Sequence, residues 1–334
     1  MRGPARAARA LLAAALGALA VAAPRLSGAQ DALPAEGALF LLLPVGARAV
    51  ASGGAVVAAS EGSESLWWNP ASLARQVAGE VAVHHAQTIA ATSDALAAVF
   101  PWRGVGVFGV AAHLIDLGEQ EITPPDGPPA IGKLLPRNVV VSASYARRLG
   151  TVLDLGLTYK VLQVRSDCSG QCANVPVGAT TSSAADIGAR LHLRAPVPVV
   201  VGVALRNVGP DIRLHDRTER DPLPTRWQLG LGHEVRAVER YASDLTLHVG
   251  ADVVADLDSR LDSYRAGGEV AWQRRVILRG GYVFDAGSGA SGEGPTVGLG
   301  VVAGRLAVDI AREFQGLSAD AGQPPTYVTL RYRF

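Results

Sequence analysis

The chain has 334 residues, and its 31 basic and 30 acidic side chains give a formal net charge of +1. This near balance excludes the strongly basic surface that a nucleic-acid-binding protein carries, so no nucleic-acid partner is expected. The apolar content of 49% and the mean hydropathy of +0.21 suggest a membrane protein. After the amino-terminal region, however, the longest apolar run covers only residues 38–43, far short of the ~20 residues of a spanning helix.

The amino terminus has the features of a secretory signal peptide. Arg2, Arg6 and Arg9 precede an apolar run over residues 10–23, and small residues follow at 27–29. Cleavage after position 29 would remove four arginines and leave 27 basic against 30 acidic side chains, a balance of about −3. We therefore expect residues 1–29 to be removed on export, and the mature chain to reside in the envelope of a diderm bacterium.

The stretch SLWWNPASLA places two adjacent tryptophans before an Asn-Pro pair. Asn69 is a preferred helix N-cap and Pro70 suits the first helical position, so a short helix is predicted over residues 71–76. Trp67 and Trp68 then have two interpretations. They either anchor this helix by packing against a wall, or they form a cage for a ligand.

From residue 79 onward the sequence alternates apolar and polar residues in segments of about ten, which predicts strands. Gly, Pro, Asp and Ser separate the segments. The fourteen predicted strands are 79–90, 94–101, 104–116, 138–148, 151–165, 182–194, 197–208, 225–235, 244–255, 263–272, 275–285, 295–303, 305–313 and 325–334.

The connections between these strands alternate in length. Long ones, such as 117–137 and 209–224, follow odd-numbered strands, and tight turns follow most even-numbered strands. Outer-membrane barrels show this asymmetry, with short periplasmic turns and long external loops. Two connections break the rule, since 91–93 is short and 236–243 is long, so one or two strand boundaries are open to question.

Several apolar loop residues either line an access route or pack within the loops: Ile122, Ile131, Leu134, Leu135, Val175 and Val177.

One face of each predicted strand suits hydrocarbon and the other suits water, as expected for a transmembrane barrel with a polar lumen. The charged residues of the water face are predicted to pair across neighbouring strands, or to tune the selectivity of a pore. These lumen-facing charges are Asp154, Lys160, Arg190, Arg206, Asp252, Arg279, Asp309 and Arg331.

The last strand ends on an aromatic residue. Tyr332 and Phe334 share a face with other apolar residues, while Arg331 and Arg333 point the other way. This ending is similar to the terminal signal that the barrel assembly machinery recognises, and we assign Tyr332 and Phe334 to that role. A soluble β-sandwich also contains many short alternating strands, but it leaves the terminal aromatic unexplained.

The two cysteines, Cys168 and Cys172, are too few for a structural zinc site. Because export exposes thiols to oxidation, they are candidates for a small loop disulfide, with free thiols as the alternative.

Sequence motifs give no support for an enzyme, and no cofactor or metal is expected. The glycines of 104–109 match G-x-G-x-x-G, but they open a strand and lack a βαβ unit, so they more plausibly permit close backbone approach or a bend. His84 and His85 are strand neighbours, so their side chains face opposite ways and cannot bind one metal together. No nucleophile with a positioned base is found.

Residues 44–72, PVGARAVASGGAVVAASEGSESLWWNPAS, resemble the amino-terminal motif of the PorV/PorQ family. The resemblance continues in VGVALRNVGP (201–210), DLGLTYKVL (154–162) and the closing strands. Ser72 stands where the family usually has Gly, and Glu61 and Glu64 stand where aspartates are common. The motif positions that match are Gly46, Arg48, Gly53, Gly54, Trp67, Trp68, Asn69, Pro70 and Ala71.

This family is related to the FadL-type barrels, so the resemblance implies an all-β, fourteen-stranded transmembrane barrel (79–334) with an amino-terminal plug (30–78). It also implies two functions. One is a channel that passes hydrophobic small molecules across the outer membrane, and the other is a PorV-like carrier that presents protein cargo of type IX secretion. Outer-membrane lipid and the barrel assembly machinery are expected partners in both.

Overall fold

The computed structural model describes residues 36–89, 91–123, 127, 130–172, 177–194, 198–213, 220–235, 244–257, 261–286, 292–315 and 322–334. The predicted signal peptide, and Val175, lie outside these residues. Within them, no helix has both the length and the apolar character needed to cross a lipid bilayer.

A single antiparallel sheet forms the wall. Its strands are β1 (Glu80–Gln87), β2 (Thr92–Trp102), β3 (Gly106–Asp116), β4 (Gln120–Ile122), β5 (Gly132–Leu149), β6 (Leu153–Gly170), β7 (Gly178–Leu193), β8 (Val199–Val208), β9 (Arg226–Glu234), β10 (Leu245–Asp256), β11 (Leu261–Trp272), β12 (Val276–Asp285), β13 (Gly294–Ala303), β14 (Leu306–Glu313) and β15 (Thr326–Arg333).

Two pairings close the sheet. β1 pairs with β15, with Glu80 opposite Arg333, and β3 pairs directly with β5. The short strand β4 pairs only with the loop end of β5. The wall is thus a closed barrel of fourteen strands, and β4 is an appendage of one external loop. Closure leaves no unpaired sheet edge for the bilayer to solvate, which is the condition for a sheet to span a membrane.

All fourteen predicted strands are present, and the fold class is confirmed. The strands that flank 91–93 and 236–243 are all present, although β1 ends at Gln87 and β2 begins at Thr92, so the unusual connection lengths belong to the barrel itself. The prediction was wrong at the loop ends, where β5 begins at Gly132 and therefore includes Leu134 and Leu135. Both faces of such an extension lie above the bilayer, so the alternating apolar pattern that marks a strand is lost there.

The outer face of the wall is apolar. Burial alternates strictly along β1, and the outward side chains of the other strands include many exposed Leu, Val and Ile residues. Trp102 is 66% exposed and Trp272 is 53% exposed at the end of the barrel that carries the tight turns. Such a surface is unfavourable in water and favourable in a bilayer with aromatic residues at its interface. We call the end with tight turns periplasmic.

The chain before β1 runs inside the barrel and forms only short helices. They are a 3-10 helix (Leu39–Leu42), α1 (Ala47–Ala51), a second 3-10 helix (Gly62–Glu64), α2 (Ser65–Trp68) and a third 3-10 helix (Pro70–Arg75). Many Ala, Val and Leu residues between positions 45 and 73 are almost fully buried, such as Val50, Val57 and Leu66, whereas Val77 is exposed. We call residues 44–79 the plug. At the opposite, external end of β6, Cys168 and Cys172 are joined in a disulfide.

Candidate functional site

The plug touches the wall through a ring of glycines on the inner faces of the strands. At Gly156, an added methyl group would lie 2.3 Å from the backbone nitrogen of Ala71, and at Gly202 it would lie 2.4 Å from the carbonyl oxygen of Val57. These distances leave room for a hydrogen but not for a side chain. The ring, which we call the glycine belt, comprises Gly109, Gly156, Gly188, Gly202, Gly230, Gly250, Gly267, Gly281 and Gly298.

The belt accounts for part of the G-x-G-x-x-G match. A methyl group at Gly109 would lie 2.5 Å from the side chain of Leu66, so this glycine permits close approach, as the sequence suggested. Gly104 and Gly106 have φ angles of +79° and +152° in and beside the turn between β2 and β3. They therefore serve the turn and have no role in binding a dinucleotide.

Asn69 holds the centre of the plug. Its side chain accepts a hydrogen bond from the backbone N–H of Ala71 at 3.1 Å, which is the expected N-cap, and Pro70 occupies the first helical position. The Nδ2 group also donates to the carbonyl oxygen of Val57 at 2.7 Å. Gly188 lies directly beside the amide. Asn69 is fully buried, so these bonds satisfy a polar group that water cannot reach.

The two tryptophans have different surroundings. Trp67 meets the rings of His84 and His113 on the wall edge-on, at centroid distances of 5.2 and 6.5 Å. Trp68 is buried within the plug and donates from Nε1 to the carbonyl oxygen of Val45 at 2.9 Å. Both residues therefore pack, although only Trp67 packs mainly against the wall.

Two arginines approach the ring of Trp68, an arrangement that sequence reasoning missed. The Cζ atom of Arg206 lies 5.4 Å from the ring centroid, and that of Arg265 lies 6.0 Å away. Arg206 also donates from Nη1 to the carbonyl oxygen of Trp67 at 3.3 Å. The indole face thus partly compensates the charge that Arg206 brings into the lumen.

A ladder of alternating charges ties the plug to the wall. It runs from Glu61 and Arg48 of the plug to Glu269, and then through Arg279 and Asp309 to Arg331. The successive ion pairs measure 2.9, 3.2, 2.6, 2.6 and 2.6 Å. Each interior charge has a partner of opposite sign on both sides, which offsets the cost of burying it.

Glu64 and Glu61 show opposite electrostatic effects within the plug. Glu64 accepts the backbone N–H groups of Arg48 and Ala49 at the start of α1, and burial raises its pKa. The neighbouring guanidinium of Arg48 lowers the pKa of Glu61 to about 2. Glu61 is therefore a full negative charge at neutral pH, and it holds Arg48 in place.

Other predicted lumen charges form separate groups. Asp154 binds Arg75 of the plug at 2.7 Å and His192 at 2.6 Å. Lys160 forms an ion pair with Asp186 at 2.7 Å, so its charge is paired within the wall. The structure places all eight predicted charges on the inner wall, where their neighbours include acids that the prediction did not single out.

The remaining plug-motif residues shape the chain around these anchors. Gly46 is the N-cap of α1 at φ +99°, and Gly53 and Gly54 also have positive φ. Asp252 accepts the backbone N–H of Val57 at 2.9 Å.

At the carboxyl end, Tyr332 and Phe334 both point outward and stack at a centroid distance of 6.5 Å.

Toward the external end, the lumen above the plug is lined by apolar side chains. Residues 38–43 lie there, packed against inner-wall residues of β3 and β5 to β7 and against the connection after β8. We call this region the apolar chamber, and its buried members are Ala38, Phe40, Ala91, Ile115, Val140, Leu162, Ala184, Ile212 and Leu223.

Sequence reasoning missed both the glycine belt and the apolar chamber. A signal for the belt exists, because an isolated glycine in a strand marks close approach of another backbone, but it was applied only to residues 104–109. No comparable signal exists for the chamber. Its inward apolar residues occupy positions that local alternation assigns to a polar face. Of the suggested access residues, Ile131 and Val177 are exposed.

Comparison with known proteins extends these observations. No protein-family model matches the chain, and no curated protein matches its sequence. Among solved structures, the chain is similar to the toluene transporter TodX of Pseudomonas putida, with 12% identity, coverage of 86% of this chain and 98% of that chain, and a TM-score of 0.54. It is also similar to a FadL homologue of Pseudomonas aeruginosa, with 11% identity, coverage of 87% and 98%, and a TM-score of 0.50.

At these identities the similarity establishes the fold. The chain shares the closed fourteen-stranded barrel, with a short helical segment near its amino terminus, of FadL-type outer-membrane proteins. The narrower PorV/PorQ resemblance stays a prediction from the sequence.

Proposed function

We propose that the protein is a plugged outer-membrane channel for hydrophobic small molecules and that it acts without covalent chemistry. The observation that carries the proposal is the apolar chamber. Barrel lumens are polar by default, because water fills them. Here Ile115, Val140 and Leu162 point inward at less than 10% exposure and form an apolar compartment at the external end.

The composition of the chamber favours one class of substrate. Pockets for apolar ligands are concave and lined mainly by aliphatic and aromatic side chains, with a few polar groups near them. Phe40 and its neighbours at 39–42 fill this chamber with an apolar body of the chain itself. A hydrocarbon would exchange one set of apolar contacts for another, whereas an ion or a sugar would lose its hydration without gaining hydrogen bonds.

The structural comparisons support the same class. TodX is described as a toluene transporter, and it shares the barrel fold and nearly the whole length of this chain. Because one fold hosts different tasks, this likeness adds weight only in combination with the chamber. The type IX carrier function gains no support from these comparisons, and we do not develop it.

The first test is a pair of matched substitutions on the inner wall. Val140→Thr introduces a hydroxyl into the apolar chamber, and Val107→Thr introduces the same group at a buried inner-wall position under the plug. Toluene uptake by cells that express the protein should fall about fivefold for Val140→Thr, since burying an unpaired hydroxyl in the path costs the substrate apolar contact. Val107→Thr should leave uptake near the wild-type rate.

Both variants must first show the heat-dependent gel shift of a folded barrel. Equal uptake by both variants and the wild type would contradict the channel proposal. An equal loss of toluene uptake in both variants would assign the effect to the stability of the barrel, and it would also contradict the channel proposal.

A further inference from the structure

A second cavity lies on the periplasmic side of the plug, away from the apolar chamber. Its volume is about 350 Å³, and it lies between the plug and the inner faces of β7 to β11. Its lining includes the apolar residues Ala55, Val56 and Val200, together with arginines from the plug and from the end of β7. At the ~30 Å³ that one water occupies in the liquid, it has room for roughly ten non-hydrogen atoms.

Arg190 brings to this cavity a charge that has no direct ion pair among the described residues. Its side chain projects inward from β7, and the residue is only 8% exposed. Nη1 donates to the carbonyl oxygen of Ser60 at 3.4 Å, and Nε is buried without a hydrogen-bond partner. In the part of the chain that the structure describes, no carboxylate forms an ion pair with it. Arg279 and Arg331, by contrast, are both paired with Asp309.

The nearby acids bind other cations, although Asp154 lies opposite Arg190 on β6 and its Oδ1 has no hydrogen-bond partner within the described ranges. Asp154 is bound by Arg75 at 2.7 Å and by His192 at 2.6 Å, and Glu61 is bound by Arg48 at 2.9 Å. A buried guanidinium left without a counter-charge costs free energy unless an anion from outside supplies one. Arg190 therefore has bonding capacity that this chain does not use.

Further positive charge lies near the mouth of the cavity. Arg194 lies directly after the end of β7, and Arg75 reaches the same place from the plug. Both donate to the carbonyl oxygen of Thr151, at 3.4 and 3.2 Å, so their guanidinium groups converge there. An anion that enters from the periplasm meets these two charges before it reaches Arg190.

We propose that this cavity binds a small organic carboxylate, with Arg190 as its charge partner and the apolar lining residues as the seat of the organic part. A guanidinium offers two parallel N–H groups that match the two oxygens of one carboxylate. Glu61, Glu234 and Glu269 also line the cavity, and they repel a doubly charged anion such as phosphate more strongly than a singly charged carboxylate. This site is separate from the apolar chamber, so it does not depend on the proposed transport of hydrophobic molecules.

Calorimetric titration of the full mature chain in detergent micelles tests the proposal. Benzoate, its neutral analogue benzamide and inorganic phosphate are the three probes. We expect saturable binding of benzoate and much weaker binding of the other two. Arg190→Gln, which removes the charge, should lower the benzoate affinity about tenfold or more, and Arg190→Lys should retain part of it.

Two further variants separate the site from general effects. Arg194→Gln, at the mouth, should lower the affinity by a smaller factor than Arg190→Gln. Arg305→Gln is the matched control, because Arg305 lies exposed in the turn between β13 and β14 and away from the cavity. It should bind benzoate like the wild type, and all variants should keep the heat-dependent gel shift.

The proposal is overturned if wild-type protein shows no saturable binding of benzoate, or binds benzamide equally well. Preferential binding of phosphate would refute the carboxylate class. If Arg190→Gln fails to fold, unchanged affinity in both Arg190→Lys and Arg194→Gln would refute the assignment to these arginines. Wild-type toluene uptake by Val140→Thr together with saturable benzoate binding would refute only the channel proposal, whereas reduced uptake by Val140→Thr without benzoate binding would refute only the carboxylate site.

Discussion

The plug and the segment before it meet the same barrel wall in two different ways. At the glycine belt the plug touches the wall backbone to backbone, with directed hydrogen bonds such as those from Thr296 Oγ1 to the Ala51 carbonyl and from the Val57 N–H to Asp252. In the apolar chamber, residues 38–43 meet the wall through apolar side chains. Hydrogen bonds and close contacts demand one geometry, whereas apolar contacts are non-directional and exchangeable. The contact at the glycine belt therefore has one fixed geometry. The proposed channel requires the contact in the apolar chamber to be replaced by another apolar body.

The largest expected effect comes from filling the belt. Gly281→Ala would place a methyl group 2.3 Å from the backbone nitrogen of Gly53, so either the plug or β12 must shift. We expect the free energy of unfolding to fall by about 3 kcal/mol, as in overpacked cores. Thermal melting followed by the gel shift measures it.

The matched control is the adjacent residue on the opposite face. A methyl group at Gly280 would have only the carbonyl oxygen of Thr296 nearby, at 3.9 Å, so Gly280→Ala should melt close to the wild type. Similar melting of the two variants would mean that the plug is not held by close backbone contact.

A smaller loss is expected from Asn69→Ala. The substitution removes the N-cap of Ala71 and leaves the carbonyl oxygen of Val57 without its 2.7 Å donor. Together these losses should cost about 2 kcal/mol of unfolding free energy. Asn69→Ser keeps a capping oxygen but lacks the Nδ2 donor. Its free energy of unfolding should lie between those of the wild type and Asn69→Ala. If the alanine variant lost toluene uptake but melted like the wild type, the packing role of this residue would be refuted.

The smallest effect concerns pH. Arg48 lowers the pKa of Glu61 from its usual 4.5 to about 2, so the pair contributes stability above pH 4.5 that is lost as the pH falls toward 2. The side chain of Glu61 is 59% exposed, so solvent screening limits the contribution of this ion pair to about 0.5 kcal/mol.

Glu61→Gln should therefore lower the melting temperature slightly at neutral pH, where the ion pair is intact, and its difference from the wild type should shrink as the pH falls toward 2. Melting curves at pH 7, 4 and 3 would show the difference. A pH profile identical to that of the wild type would indicate that Arg48 is held mainly by Glu269, which it contacts at 3.2 Å.

The sequence predictions that agree with the structure concern interactions between residues that are close together in the chain. The N-cap at Asn69 depends on residues within one turn, and the opposite orientations of His84 and His85 depend on strand alternation alone. His84 is buried and His85 is exposed beside Asp94, as expected. Arg190 was predicted to face the lumen, but its lack of a direct ion pair depends on where Asp154, Arg75 and Glu61 meet in space.

The sequence by itself determined the strand number and the inner and outer faces, because both follow from local periodicity and chain order, whereas the plug was expected only from the family resemblance. Only the tertiary structure decided which glycines receive the plug and which acids neutralise which arginines. It also decided where the polar lumen gives way to an apolar chamber. The contacts between plug and wall include residues that are more than a hundred positions apart, such as Ala51 and Thr296, and a closed barrel brings them together only after every strand has paired.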